Sequence, residues 1–290
     1  MKKLLLILCS IMLTGCVRHN VHPQSVKDSF VLIEKRTTIN VCGNKQQATV
    51  CKKLMSFGSV GSGAIVHNEI ALLEEPRTLI LTANHVCQSD KINLSNLGPE
   101  VIPHIKNNLK LEPPYNLQIK KEMKAVDRHG TKYKVINPPW VQNVKADTCI
   151  IESSINAPAL KIGTEPKYGE HLYNIAAPKG IFHPSSSGGA VFFTDGKFNG
   201  KFLIAKNRLF AMYSINAAPG SSGSPVLNKN GELIGMIHSV DSRFCSRIEP
   251  ICHSVVSYGA TRKQVIDTIK GGISAIKRGE GKRFDIDQIQ

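Results

Sequence analysis

The sequence predicts an all-β protein, and three observations carry that reading. Short apolar or alternating runs recur along the chain: FVLIE, GAIVH, TLILTA, KYKVI, DTCII, LYNIA, LFAMYS and ELIGMIHSV. Gly, Pro, Asn and Asp separate them, the punctuation of brief strands joined by turns in a sandwich or barrel. One segment alone is convincingly helical, Thr261 to Ile276, where Val265, Ile266, Ile269 and Ile273 recur at helical intervals. With 41% hydrophobic and 20% charged residues in 290, the chain has a globular composition, not a disordered or fibrous one. No apolar run reaches the roughly eighteen residues of a membrane-spanning helix, which excludes a multi-pass helical protein.

The N-terminus comes first in chain order. Met1 to Cys16 reads MKKLLLILCSIMLTGC, two lysines followed by an apolar run from Leu4 to Leu13 and small residues, the form of a secretory signal. Its ending, Leu13-Thr14-Gly15-Cys16, resembles the lipobox of bacterial lipoproteins. That resemblance implies removal of residues 1–15, lipid on Cys16 and a tether, residues 16–27, leading to a protein domain over 28–290. Several acyl chains together, at about 0.8 kcal/mol per buried methylene, hold such a protein at a membrane. Val17, where an Asp would retain the protein at the inner membrane, implies the outer membrane of the cell envelope, facing the periplasm. An ordinary signal peptide with an incidental Cys16 is the alternative.

Lys and Arg outnumber Asp and Glu by 37 to 22, a net charge of +15 that asks for an anionic neighbour. Export turns the expectation away from nucleic acid and toward a membrane surface. Residues 101–145 are locally basic; a solvated loop explains them, and contact with anionic lipid or glycan is the alternative.

Cys9 leaves with the signal. Cys42, Cys51, Cys87, Cys149, Cys245 and Cys252 remain, an even count that reads as disulfides in an oxidising compartment. Cys42 with Cys51 and Cys245 with Cys252 each close a short loop, which leaves Cys87 with Cys149. No C-x-x-C or H-x-x-x-H spacing occurs, so neither a metal nor another cofactor is expected.

Three windows carry the chemistry. Pro219 to Val226 reads PGSSGSPV and runs into PVLNKNGELIGMI, a hairpin that turns at Asn228 to Gly231. The GSGAIV of Gly61 to Val66 precedes a strand that ends in LTANHV, with His85 just past the strand end. ADTCII opens an apolar strand with Asp147. Together they resemble the G-x-S-G-[GS]-P, TA-x-H and D-x-A motifs of chymotrypsin-like serine proteases, bacterial trypsin-like and V8-like members included, in the order His, Asp, Ser. Cys149 stands where the family has a small residue.

The resemblance implies two antiparallel β-barrels, divided at about 155–170, with the C-terminal helix on the second. It implies Ser222 as nucleophile, His85 as base, Asp147 as its partner, and the N–H groups of Gly220 and Ser222 as the oxyanion hole. The expected function is an anchored serine endopeptidase acting on protein or peptide substrates, with activity that rises from mildly acidic to neutral pH because a histidine is the base. An inactive member serving as an envelope binding or scaffold protein is the alternative. Asp127 competes with Asp147 but sits in a polar run and reads as a turn residue. Ser185 to Gly189 also places serines before glycines, yet lacks the flanking Gly and Pro and reads as a loop near the cleft.

The pocket residues implied are Asn216, His238, Ser239 and Val240. An amide at Asn216 argues against a taste for Arg or Lys, and Val240, where the family often has glycine, implies room for a small side chain only. His238 stands one step past the position at which V8-like peptidases bind glutamate, so strand alternation turns it away unless a bulge intervenes. Ser221 replaces the aspartate that trypsin-like zymogens pair with a freed amine, which implies a site that is preformed or ordered by something else.

Overall fold

Two sheets account for most of the chain in the computed structural model, as the many short apolar runs require. It describes residues 26–46, 48–69, 77–88, 98–135, 141–185, 191–204, 208–240, 256–277 and 284–285. The signal segment, Cys16, most of the tether, Ser186 to Gly189, Cys245 and Cys252 lie outside the described residues.

The first sheet has the strand order β14-β6-β7-β3-β2-β1-β4-β5. Its members are β1 Phe30–Lys45, β2 Ala48–Glu69, β3 Arg77–Ala83, β4 Glu112–Val126, β5 Lys132–Lys134, β6 Val141–Asn143, β7 Thr148–Ser153 and β14 Phe284–Asp285. Pairing is antiparallel except between β14 and β6. The second sheet, formed by β8 His171–Ala176, β9 Phe192–Ile204, β10 Arg208–Tyr213, β11 Pro225–Leu227, β12 Leu233–Val240 and β13 Ser257–Ala260, is a closed barrel of order β10-β13-β12-β11-β8-β9.

The expectation of two closed barrels is therefore corrected. Among the described residues only the second is closed by ladders; in the first, a bridge between Val135 and Ser153 draws the β5 side toward β7. In the first sheet β5 pairs over three residues with β4, whereas β1 and β2, of 16 and 22 residues, run on as a long hairpin. The far end of that hairpin has its own apolar cluster, in which Val41 meets Ile105 and Leu111. Ile105 comes from the short helix α2, Val101–Asn107, and the Cys42–Cys51 disulfide crosses the hairpin there.

A continuous core joins the sheets, holding Ile33, Ile65, Leu81 and Ile150 together with Leu227, Met236 and Val265. The C-terminal helix α3, Arg262–Lys277, begins with a capping box. Gln264 Oε1 accepts the Thr261 N–H at 2.8 Å, and Thr261 Oγ1 accepts the Gln264 N–H at 3.4 Å. The helix does not sit on the second barrel alone, as expected. Gln264 Nε2 donates to Leu209 O in the second barrel, while Thr268 meets Thr148 of β7 at 2.7 Å. Gly272 permits this close approach, since a Cβ there would stand 3.0 Å from Ile150. The helix thus clamps both sheets.

Candidate active site

Asp147 and His85 meet where β7 and β3 lie side by side. The strand register pairs Ala83 with Thr148, so the residue after one strand end faces the residue before the other. Past Ala83 the chain turns into the short helix α1, Asn84–Cys87, whose first N–H groups need acceptors. Asp147 supplies them: its carbonyl takes the Asn84 N–H at 2.9 Å and its Oδ1 takes the His85 N–H at 2.9 Å. Oδ2 then reaches the His85 ring at Nδ1, 2.7 Å away. Asp147 holds this pose at a left-handed φ of 52°, a conformation that Asp tolerates better than most residues. Two residues on, the Cys87–Cys149 disulfide fastens the same pair of segments covalently. The far side of the His85 ring is open, its side chain 47% exposed against 19% for Asp147.

Ser222 stands in a loop whose backbone groups are nearly all spoken for. Ser221 N–H donates to Ala218 O, Gly223 N–H to Ile237 O and Ser224 N–H to Ser221 O, at 2.7 to 2.9 Å. Gly220, at φ +97°, packs so closely on Ala177 that a Cβ would lie 2.5 Å from its carbonyl oxygen. Ala177 opens the Ala177-Pro178-Lys179-Gly180 segment after β8, which is placed against the loop. Among the described residues the N–H groups of Gly220 and Ser222 have no acceptor. The Ser222 hydroxyl donates to the His238 carbonyl at 3.3 Å and not to the His85 ring, so the expected unbroken line of proton partners is incomplete in this state. Ser221 is buried, and its Oγ accepts the Ala218 N–H at 3.3 Å.

His238 lies between the two halves. A bulge in β12 falls between Ile237 and Ser239, which breaks the alternation and turns the His238 ring inward, 6% exposed. There it meets the Phe210 ring edge-on at 4.8 Å and Ser239 Oγ at 3.0 Å, while its Nδ1 stands 3.8 Å from Asp147 Oδ2. Burial pushes its pKa down to about 4, against the opposite pull of the Asp147 charge. His238 is therefore neutral at pH 7, and its approach to Asp147 is not an ion pair. Its Nε2 is buried with no partner among the described residues.

A cavity of about 250 Å³ opens beside Ser222, between Ala218, Pro219 and Ser221 on one side and Ile237, His238, Ser239 and Val240 on the other. Asn216 does not line it. Ile215 and Ala217 take the inward places, and strand-like alternation sends Asn216 to solvent, a correction to its expected place in the pocket. Asp127 accepts the N–H groups of His129 and Thr131 at 2.9 Å, as a turn residue does, and stays apart from His85. A larger groove of about 580 Å³ on β1, β2, β4 and β5 is lined by Glu34, Arg36, Lys124 and Lys132 and holds neither His85 nor Ser222.

Arg208 of the second barrel was missed by the sequence reading. Its guanidinium donates to Val144 O at 2.7 Å and Lys145 O at 3.2 Å, bracing the turn that leads to Asp147. An isolated cation at a strand start gives no signal of this.

A crystal structure of the serine endoprotease from Yersinia pestis aligns with a TM-score of 0.47 at 15% identity, covering 82% of this chain and 62% of that one. No curated protein matches the chain. The profile of the trypsin-like peptidase domain matches residues 61–236, which span more than half of the chain and contain His85, Asp147 and Ser222. By that match, on a largely antiparallel two-sheet fold, the chain belongs to the trypsin-like peptidase family of chymotrypsin-like serine proteases.

Proposed function

We propose that the chain is a serine endopeptidase that cleaves through an acyl-enzyme on Ser222. The observation that carries the reading is the Asp147–His85 pair, bonded at 2.7 Å, on the same side of the molecule as a nucleophile loop with two unclaimed N–H groups. In the resting state the Ser222 hydroxyl is parked on the His238 carbonyl. The reaction requires the hydroxyl to leave that carbonyl and bond the open nitrogen of His85 once substrate is seated.

Ser222 Oγ then attacks the peptide carbonyl as His85 takes its proton, and His85 returns that proton to the leaving amine. Water repeats the sequence on the acyl-enzyme. Asp147 fixes the tautomer, since its Oδ2 at Nδ1 leaves the other nitrogen as the base. Gly220 and Ser222 N–H groups receive the oxyanion, each worth about 3 to 4 kcal/mol in the transition state. Val240 narrows the cavity, and neutral His238 offers no cation to a glutamate, so a small uncharged side chain is the favoured occupant. The Ser221 hydroxyl, busy with Ala218, leaves no carboxylate for an activating amine.

The same proposal places the mature chain at the outer membrane of a bacterial envelope, held by lipid on Cys16 and facing the periplasm. A Cys16→Ala variant should move from the membrane fraction to the soluble one. The enzyme reading is tested by covalent labelling with a fluorophosphonate, with Ser222→Ala as control. Labelling of the wild type alone supports it; a wild type that stays unlabelled sinks it and leaves the scaffold reading.

A further inference from the structure

An oxyanion hole built from backbone depends on which way a few peptide planes face. In a trans peptide the C=O of one residue and the N–H of the next point in opposite directions, so whatever holds the carbonyl aims the amide. Four consecutive carbonyls of the nucleophile loop are held. Pro219 O accepts from Lys179 N at 2.5 Å, Ser221 O from Ser224 N at 2.9 Å and Ser222 O from Ser62 N at 2.8 Å. Gly220 O accepts from the Ser62 hydroxyl at 2.8 Å.

Ser62 therefore grips the loop twice, and from the other sheet. It lies in β2, fully buried, with its own carbonyl fixed by Thr82 Oγ1 at 2.7 Å. Its hydroxyl also accepts the Ala177 N–H at 3.0 Å. Ala177 leads into Lys179, whose N–H holds Pro219 O. One oxygen thus ties down the peptide after Gly220 and the segment that orients the peptide before it. Gly220 is the freest joint of the loop, and it is the residue whose flanking peptides are both constrained in this way.

We propose that Ser62 is a positioning residue for the nucleophile loop, its hydroxyl locking Gly220 so that the Gly220 N–H stays available to the oxyanion. The inference rests on the endopeptidase reading. Without the hydroxyl, Gly220 O and the Ala177 N–H both lose their partner, the Ala177–Lys179 segment that holds Pro219 O loosens, and the Gly220 N–H of that same peptide drifts, a misplacement of the kind that costs about tenfold to a hundredfold in rate.

The test is the second-order rate constant of fluorophosphonate labelling in full-length wild type, Ser62→Ala and Ser62→Thr, followed across pH with the labelled fraction at saturation. Ser62→Ala should label about tenfold or more slowly, with the saturating fraction and the pH midpoint unchanged because the His85–Asp147 pair is untouched. Ser62→Thr keeps the hydroxyl and should recover to within about threefold of wild type. A Ser62→Ala rate within about twofold of wild type overturns the inference, as does a fully labelled Ser62→Thr that is as slow as the alanine variant. A fall in labelled fraction at unchanged rate makes Ser62 merely structural and also overturns it. A wild type that does not label overturns the endopeptidase reading instead.

Discussion

The two halves of the candidate site are held by different means. On the β3–β7 side, a carboxylate bonds to an imidazole and to the backbone beneath it, and a disulfide two residues away joins the same segments. On the β11–β12 side no side chain of the nucleophile loop meets the base; the loop is shaped by its carbonyls, and its hydroxyl rests on a neighbouring backbone oxygen. The Asp147–His85 side is fixed through side chains and a cross-link. The Ser222 side is fixed in its backbone, with the hydroxyl turned to a neighbouring carbonyl.

Substitutions that break each half measure this difference. Ser222→Ala should lower peptide turnover by about a million-fold, read by single-turnover kinetics, with little change in melting temperature. Asp147→Asn should lower kcat by about ten-thousand-fold through the wrong His85 tautomer; a drop below about tenfold would mean that the Asp147–His85 side is not the proton relay.

The disulfides sharpen the comparison. Replacing Cys87 and Cys149 together, a closure of 62 residues, should cost about 4 kcal/mol in denaturant unfolding and loosen the His85–Asp147 pair. Replacing Cys42 and Cys51, separated by nine residues at the hairpin end, should cost about 2.5 kcal/mol and leave turnover intact.

A further effect concerns His238. Its folded pKa of about 4 lies below the roughly 6.5 of an exposed histidine, so between those values the unfolded chain takes a proton that the folded one refuses. Stability should fall by about 3 kcal/mol as pH drops from 6.5 to 4, with no contribution above that window. His238→Gln should flatten that part of the curve in thermal unfolding; an unchanged slope would show that the ring is not buried neutral.

Local features were readable in the chain because each is written in adjacent residues. PGSSGSPV, LTANHV and ADTCII mark the Ser222 loop, the turn at His85 and the start of β7 at Asp147 without reference to anything distant. The pairing of Cys42 with Cys51 followed from a short loop. What the residues did not disclose depends on register and length. The inward turn of His238 comes from a bulge that alternation does not announce, and Asn216 faces outward because Ile215 and Ala217 claim the core. The grip of Ser62 on Gly220 spans 158 positions.

The apolar knot of Val41, Ile105 and Leu111 is separate from the main interior and carries its own cross-link. The distal hairpin is thus a cooperative unit of its own, and amide exchange should report it opening at a lower free energy than the barrels. It can therefore be trimmed, lengthened or recoded while the Asp147–His85 pair and the Ser222 loop keep their shape.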